Sequence, residues 1–149
     1  MKGKVNEISI SYKERNTIEN ALSIKSSCDA AELLFENWDE NNIELHESFK
    51  ILLLNNSNKV KGVYELSKGG ITGTLVDMRI LFATVLKSLS VAIILAHNHP
   101  SGKLQASEAD IRLTKKIQKA AKLLDISVLD HLIIAPNGNY YSFADNHII

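Results

Sequence analysis

One stretch constrains the architecture of this chain more than any other. Six apolar residues, VAIILA at 91–96, run straight into His97-Asn98-His99-Pro100-Ser101-Gly102. A run that is apolar on both faces needs cover on both faces, so it predicts a central strand. The run is too short to span a bilayer. The polar groups follow at its carboxyl end, and a patterned helix comes next.

The flanking segments extend that picture. FKILLL predicts a buried strand, NNSN a turn, and KVKGVYEL the returning strand of a hairpin. SKGGITGT is glycine-rich and is expected to be flexible. DMRILFATVLKSLS predicts a helix capped by Asp77, with Ile80, Leu81, Val85 and Leu89 on one side. A second helix is expected over 108–124, with Leu113, Ile117, Ala120, Ala121 and Leu124 on one face. ISVLDHLIIA is a strand, Asn137-Gly138 a hairpin signal, and YYSF the last strand. Towards the start, NEISISYK alternates loosely and suggests a short edge strand. CDAAELLFENWDENN suggests a helix with Ala31, Leu34, Phe35 and Trp38 inward, ended by Asn41-Asn42. Strands separated by helices predict an α/β domain with a mixed sheet flanked by helices. Residues 1–43 are expected to pack as a strand and helix segment on a domain over 44–149.

Length and charge narrow the function. The chain has 149 residues, which suits one domain with a real core. Lys plus Arg and Asp plus Glu are 17 each, for a net charge of zero. That balance lacks the electrostatic footprint of a non-specific nucleic-acid binder. One local exception is the far face of the 108–124 helix, with Arg112, Lys115, Lys116, Lys119 and Lys122. It is a solvated helix back, or a stripe for a phosphate backbone or an acidic partner. Cys28 is the single cysteine, which excludes an intrachain disulfide and a thiolate metal cluster. Cys28 is expected to be a small packed side chain. The start has no apolar leader region, so a cytoplasmic protein with no membrane association is expected.

The chemistry concentrates after the central strand. If strand geometry persists, His97 and His99 point to one face. Ser107 falls where the next helix begins and Asp110 three residues later, close to a capping box. The ten residues of PSGKLQASEA can bring that helix start back to the strand end. Two histidines and an aspartate suit a catalytic zinc, with the fourth position left to water. Each piece also has a plainer reading: a helix cap, and a pair of satisfied polar side chains. Ser107 can cap the helix and still aim its hydroxyl into the site.

HNHPSGKLQASEAD resembles the JAMM motif of JAB/MPN-type metalloproteases: His-x-His-Pro, six residues, then Ser-x-x-Asp. AIILAHNHPSG, LLDISVLDHLII and YYSFAD further resemble segments of the RadC family, and the resemblance covers about 47–145. It implies a cytidine-deaminase-like JAB/MPN fold and zinc held by His97, His99 and Asp110. It also implies a glutamate base from the first strand, matching Glu47, with Glu44 and Glu40 nearby. Ser107 would donate to the oxyanion. The implied reaction is hydrolysis of a peptide or isopeptide bond, on a protein or peptide substrate. The alternative is a non-catalytic accessory protein in DNA repair or recombination, with a structural metal; a deubiquitinase-like enzyme is a third reading. Family members carry an N-terminal helix-hairpin-helix region, for which this length leaves no room, so direct DNA binding is not expected. Lys103 and Leu104 replace the acidic residue and proline usual in the loop. Asp130 and His131 match a family pair, either supporting the site or forming an ordinary buried pair. His46 is a bystander beside Glu47, and His147 is expected to be solvated.

Overall fold

A computed structural model describes residues 3–7, 9, 11–14, 20–70 and 74–149. Its elements are α1 (Ser27–Glu36), β1 (Ser48–Leu54), β2 (Val60–Lys68), α2 (Met78–Lys87), β3 (Ala92–Asn98), α3 (Glu108–Leu123), β4 (Ser127–Ile134) and β5 (Tyr140–Ser142). The five strands form one sheet in the order β2-β1-β3-β4-β5. β1 is antiparallel to β2 and β3, β3 and β4 are parallel through α3, and β5 returns antiparallel to β4. The fold is thus α/β with a mixed sheet, as the pattern of strands and helices predicts.

The apolar run lies at the middle of this sheet. Every residue of β3 is buried, and its alternation feeds two cores. Ile94 and Ala96 join Leu52 and Leu54 of β1 and Leu132 and Ile134 of β4 beneath Ala30, Ala31 and Leu34 of α1. Ile93 and Leu95 join Phe49, Ile51 and Leu53 beneath Leu81, Phe82 and Val85 of α2 and Ile117 and Ala121 of α3. Odd-numbered β3 residues therefore face α2 and α3, and even-numbered ones face α1. This alternation decides where the polar end of the strand points.

Several expectations need correction. α1 ends at Glu36, not at Asn41-Asn42: the Asn37 side-chain amide donates to the Leu33 carbonyl, and the Trp38 N–H bonds only three residues back, to Phe35. Trp38 lies beyond the helix yet is buried. In α2 the inward residues are Leu81, Phe82 and Val85, whereas Ile80 and Leu89 are exposed. Leu89 follows the helix end with φ 53°, which rotates it off the helical face. Leu124, expected inward on α3, is exposed at its C-cap, and Thr114 is fully buried within that helix. Cys28 is exposed, because it lies off the α1 face that carries Ala30, Ala31 and Leu34. Of the proposed edge strand NEISISYK, Ile8 and Ile10 lie outside the described residues and the rest forms no strand. Ile71, Thr72 and Gly73 of the glycine-rich segment also lie outside them.

The turns follow their chemistry. Asn55 accepts the N–H groups of Ser57 and Lys59 through Oδ1, and Asn58 takes φ 55°, closing the β1–β2 hairpin. Gly138 at φ +86° closes β4–β5. The positive φ favours glycine, and a Cβ there would stand a tight 3.3 Å from the Phe35 ring, which would have to shift slightly. No helix among the described residues is long and apolar enough to cross a membrane.

Candidate metal centre

The site forms where β3 runs out. His97 is the last odd-numbered residue of the buried strand, and His99, one residue past β3, shares its face. Its N–H still bonds to the Ile134 carbonyl of β4 at 3.0 Å, which holds the backbone extended. The chain then turns tightly, with Gly102 at φ +77° and its N–H on the His99 carbonyl at 2.9 Å. This turn also fixes a ring: His99 Nδ1 lies 2.6 Å from the Lys103 carbonyl oxygen. A carbonyl only accepts, so Nδ1 carries the proton and Nε2 of a neutral His99 presents a lone pair. The unexpected lysine at 103 is tolerated for this reason, since its backbone makes the contact.

Ser107 caps α3 as expected. Its Oγ accepts the Asp110 N–H at 3.0 Å, and the Asp110 carboxylate accepts the Ser107 N–H at 3.0 Å, completing a capping box. The same carboxylate oxygen, Oδ2, lies 3.5 Å from His97 Nε2 and 3.8 Å from His99 Nε2. The two Nε2 atoms are 2.9 Å apart. One ligand atom from each of His97, His99 and Asp110 falls within 4.8 Å of the others. Two imidazole nitrogens and a carboxylate oxygen converging on one point form a donor set suited to zinc. Burial tends to raise the Asp110 pKa. The adjoining His97 imidazole and the Ser107 N–H and hydroxyl outweigh it and hold the carboxyl well below its usual range. The group is therefore ionised, and the α3 N-terminus favours that charge.

Glu47 and Ser107 line one open groove with His99 and Asp110; Glu44 and Lys103 also border it. β1 brings Glu47 there. Phe49 pairs with His97 in the β1–β3 ladder, so continuing the register by two residues sets Glu47 across from His99 on the same face. The Glu47 backbone is tied to Gly69 and Gly70 on its other side, at 2.7 and 3.1 Å. Ser107 is exposed, and its Oγ accepts the Asp110 N–H on the cap while its hydroxyl hydrogen lies beside the Asp110 carboxylate at the edge of the groove.

A RadC-like JAB domain model matches residues 24–148. The chain belongs to the RadC-like JAB family. Among its relatives, a UPF0758 protein of Flavobacterium johnsoniae is 53% identical over 103 residues, 69% of this chain and 44% of that protein. One from Porphyromonas gingivalis is 48% identical over 103 residues, 69% of this chain and 45% of that protein. One from Alkaliphilus metalliredigens is 42% identical over 130 residues, 87% of this chain and 54% of that protein. The RadC-like chain thus spans about half the length of the curated relatives it matches.

The contacts place the remaining polar residues of this RadC-like domain. Asp130 and His131 have different surroundings. Asp130 accepts from Ser142 Oγ at 2.6 Å, the Ala144 N–H at 2.9 Å and the His131 N–H at 2.7 Å, and so pins the chain after β5. His131 instead faces the site: its Nε2 lies 2.8 Å from His97 Nδ1. Burial drives the His131 pKa well below its usual value, helped by His97, against the pull of Asp110, so the ring is neutral. His46 lies beside Glu47, and its Nε2 is buried with no hydrogen-bond partner among the described residues. His147 is exposed.

Sequence reasoning missed two residues of this RadC-like site, Asn98 and Thr114. Asn98 points to the α1 side, fully buried. Its Oδ1 accepts the Ser48 N–H at 2.7 Å, and its Nδ2 donates to the Ile43 and His46 carbonyls at 2.8 and 2.9 Å. These bonds hold the segment that carries Glu47 against β3. A polar residue between two histidines on a buried strand was the available signal, since such a group needs internal partners.

Proposed function

We propose that this domain is a zinc-dependent hydrolase of peptide or isopeptide bonds, acting on a protein or peptide substrate. The observation that carries this reading is the convergence of His97 Nε2, His99 Nε2 and Asp110 Oδ2 at a groove that Glu47 and Ser107 also line. His97, His99 and Asp110 would hold the ion. A zinc ion held there would lower the pKa of water from 15.7 to about 7 and polarise a carbonyl. Glu47 accepts the proton from the attacking water and returns it to the leaving amine. Ser107 donates its hydroxyl hydrogen to the carbonyl oxygen as charge builds on it, a contact of a class worth about 2.7–4 kcal/mol. The groove is open, which suits an extended chain better than an enclosed small molecule.

The exposed residues Arg112, Lys115, Lys116, Lys119 and Lys122 on α3 support a second reading, an accessory protein with a structural metal that meets an acidic surface. Glu47→Gln separates the two. It keeps the shape of the side chain but cannot take a proton. On the hydrolase reading, zinc content by elemental analysis stays near one per chain and hydrolysis falls by about 10²–10⁴-fold. Full activity in that variant would remove Glu47 from the mechanism. A salt-sensitive DNA shift lost in Lys115→Ala/Lys119→Ala would favour the accessory role.

A further inference from the structure

A metal can use His97 only through Nε2, and only if that nitrogen carries no proton. What decides the matter lies behind the ring. His97 Nδ1 meets His131 Nε2 at 2.8 Å, and His131 Nδ1 meets Thr114 Oγ1 at 2.6 Å. Thr114 Oγ1 also lies 2.7 Å from the Asp110 carbonyl oxygen. Thr114 and His131 are both fully buried, so neither exchanges partners with bulk water. The hydroxyl has one hydrogen and two acceptors within reach, and each choice sets the whole chain.

Suppose Thr114 donates to His131 Nδ1. His131 then carries its proton on Nε2 and donates to His97 Nδ1. His97 in turn carries its proton on Nε2, aimed at the His99 Nε2 lone pair 2.9 Å away. Each imidazole nitrogen along the chain is paired and no metal can bind, but the Thr114 hydroxyl no longer donates to the Asp110 carbonyl 2.7 Å away. Suppose instead that Thr114 donates to the Asp110 carbonyl. Its oxygen then accepts from His131 Nδ1–H, His131 Nε2 accepts from His97 Nδ1–H, and His97 Nε2 is a bare lone pair facing His99 and Asp110. Both arrangements hold the same number of protons, with one on each neutral ring and one on the hydroxyl. They differ only in direction.

We propose that Thr114 and His131 are positioning residues, a reversible hydrogen-bond relay whose direction sets the tautomer of His97 and so opens or closes the metal centre. The closed direction bridges His97 to His99 when the centre is empty, and metal binding turns the relay over. The second direction leaves His97 and His99 with two lone pairs 2.9 Å apart, an arrangement stable only with a cation between them. This inference rests on the metal reading of the site. Because the relay ends on the carbonyl of Asp110, one residue serves both sides of the centre, with its carboxylate forward and its backbone behind.

The experiment is ¹⁵N NMR of the imidazole nitrogens in metal-free and zinc-loaded protein, with zinc affinity by chelator competition. In the wild type, His97 and His131 are expected to carry the proton on Nε2 without metal and on Nδ1 with zinc. Thr114→Val removes the hydroxyl at nearly constant volume, so the Nδ1–H that the open direction requires on His131 goes unpaired. Zinc affinity should fall about 10–100-fold, the range for partners that orient metal ligands. Thr114→Ser should restore both the tautomer change and the affinity. Zinc bound with the same His97 tautomer in both states, or with full affinity in Thr114→Val, overturns the relay and leaves the metal reading intact. Failure of the wild type to bind zinc overturns both.

Discussion

Two helices of this protein begin with the same four-residue device. α1 starts at Ser26 with Asp29, and α3 at Ser107 with Asp110, and both close a reciprocal capping box. The bonds match closely: each aspartate N–H reaches the serine Oγ, at 3.2 and 3.0 Å, and each carboxylate takes the serine N–H at 3.0 Å. What lies in front of them differs. The Asp29 carboxylate also takes the Lys25 N–H at 2.8 Å and otherwise faces solvent. The Asp110 carboxylate is half-buried and looks at two imidazoles. Local sequence makes the cap, and the strand that ends opposite it makes the cap a candidate ligand. A capping box is thus a cheap way to hold a carboxylate still, because its orientation is fixed before any ion arrives.

The comparison breaks most visibly at the aspartates. Asp110→Ala should lower zinc affinity by more than about 100-fold, beyond the range for partners that only orient ligands. Asp29→Ala should leave it unchanged. Elemental analysis of the two purified variants checks this, and equal zinc loss in both would remove Asp110 from the ligand set. The serines come next. Ser26→Ala and Ser107→Ala should each destabilise by about 1 kcal/mol in denaturant unfolding, the ordinary loss of an N-cap. Only Ser107→Ala should slow hydrolysis as well, by about 10²–10³-fold. Equal rates in the two variants would reduce Ser107 to a cap. The smallest effect is a pH dependence. The backbone N–H of Lys25, then the serine cap, hold Asp29 below its ordinary value of 3.8 against slight burial. A carboxyl with a depressed folded pKa stabilises above the unfolded value and loses that contribution as pH falls through the folded one. The melting temperatures of wild type and Asp29→Asn should therefore differ at neutral pH and converge below pH 3.8.

The sequence makes some of this legible and hides the rest for definite reasons. His97, His99, Ser107 and Asp110 could be read because they are close along the chain, and strand and helix periodicities say which way they face. β3 could be placed because no other setting suits a run apolar on both sides. Leu89 misled because helical periodicity was carried past the point where the backbone leaves the helix. Thr114, and the contact it makes with His131, were hidden differently. Their meeting depends on how α3 packs over β4, and β4 on the register that sets Leu95 against His131. No local pattern carries that register. Asn98 was overlooked because its partners, Ile43, His46 and Ser48, lie about fifty residues away.

That separation has a consequence in chain entropy. The three proposed ligands belong to one strand-turn-helix unit, which closes over a short loop. Glu47 reaches the groove only through the pairing of β1 with β3 and the Asn98 contacts, which join distant parts of the chain. Contacts between distant segments form later in folding than those within a short loop, because more chain entropy must be lost first. Gathering the three ligands therefore costs the chain less closure entropy than bringing up the proton acceptor. On the hydrolase reading, holding zinc would draw on one local unit, whereas cutting would draw on the whole sheet.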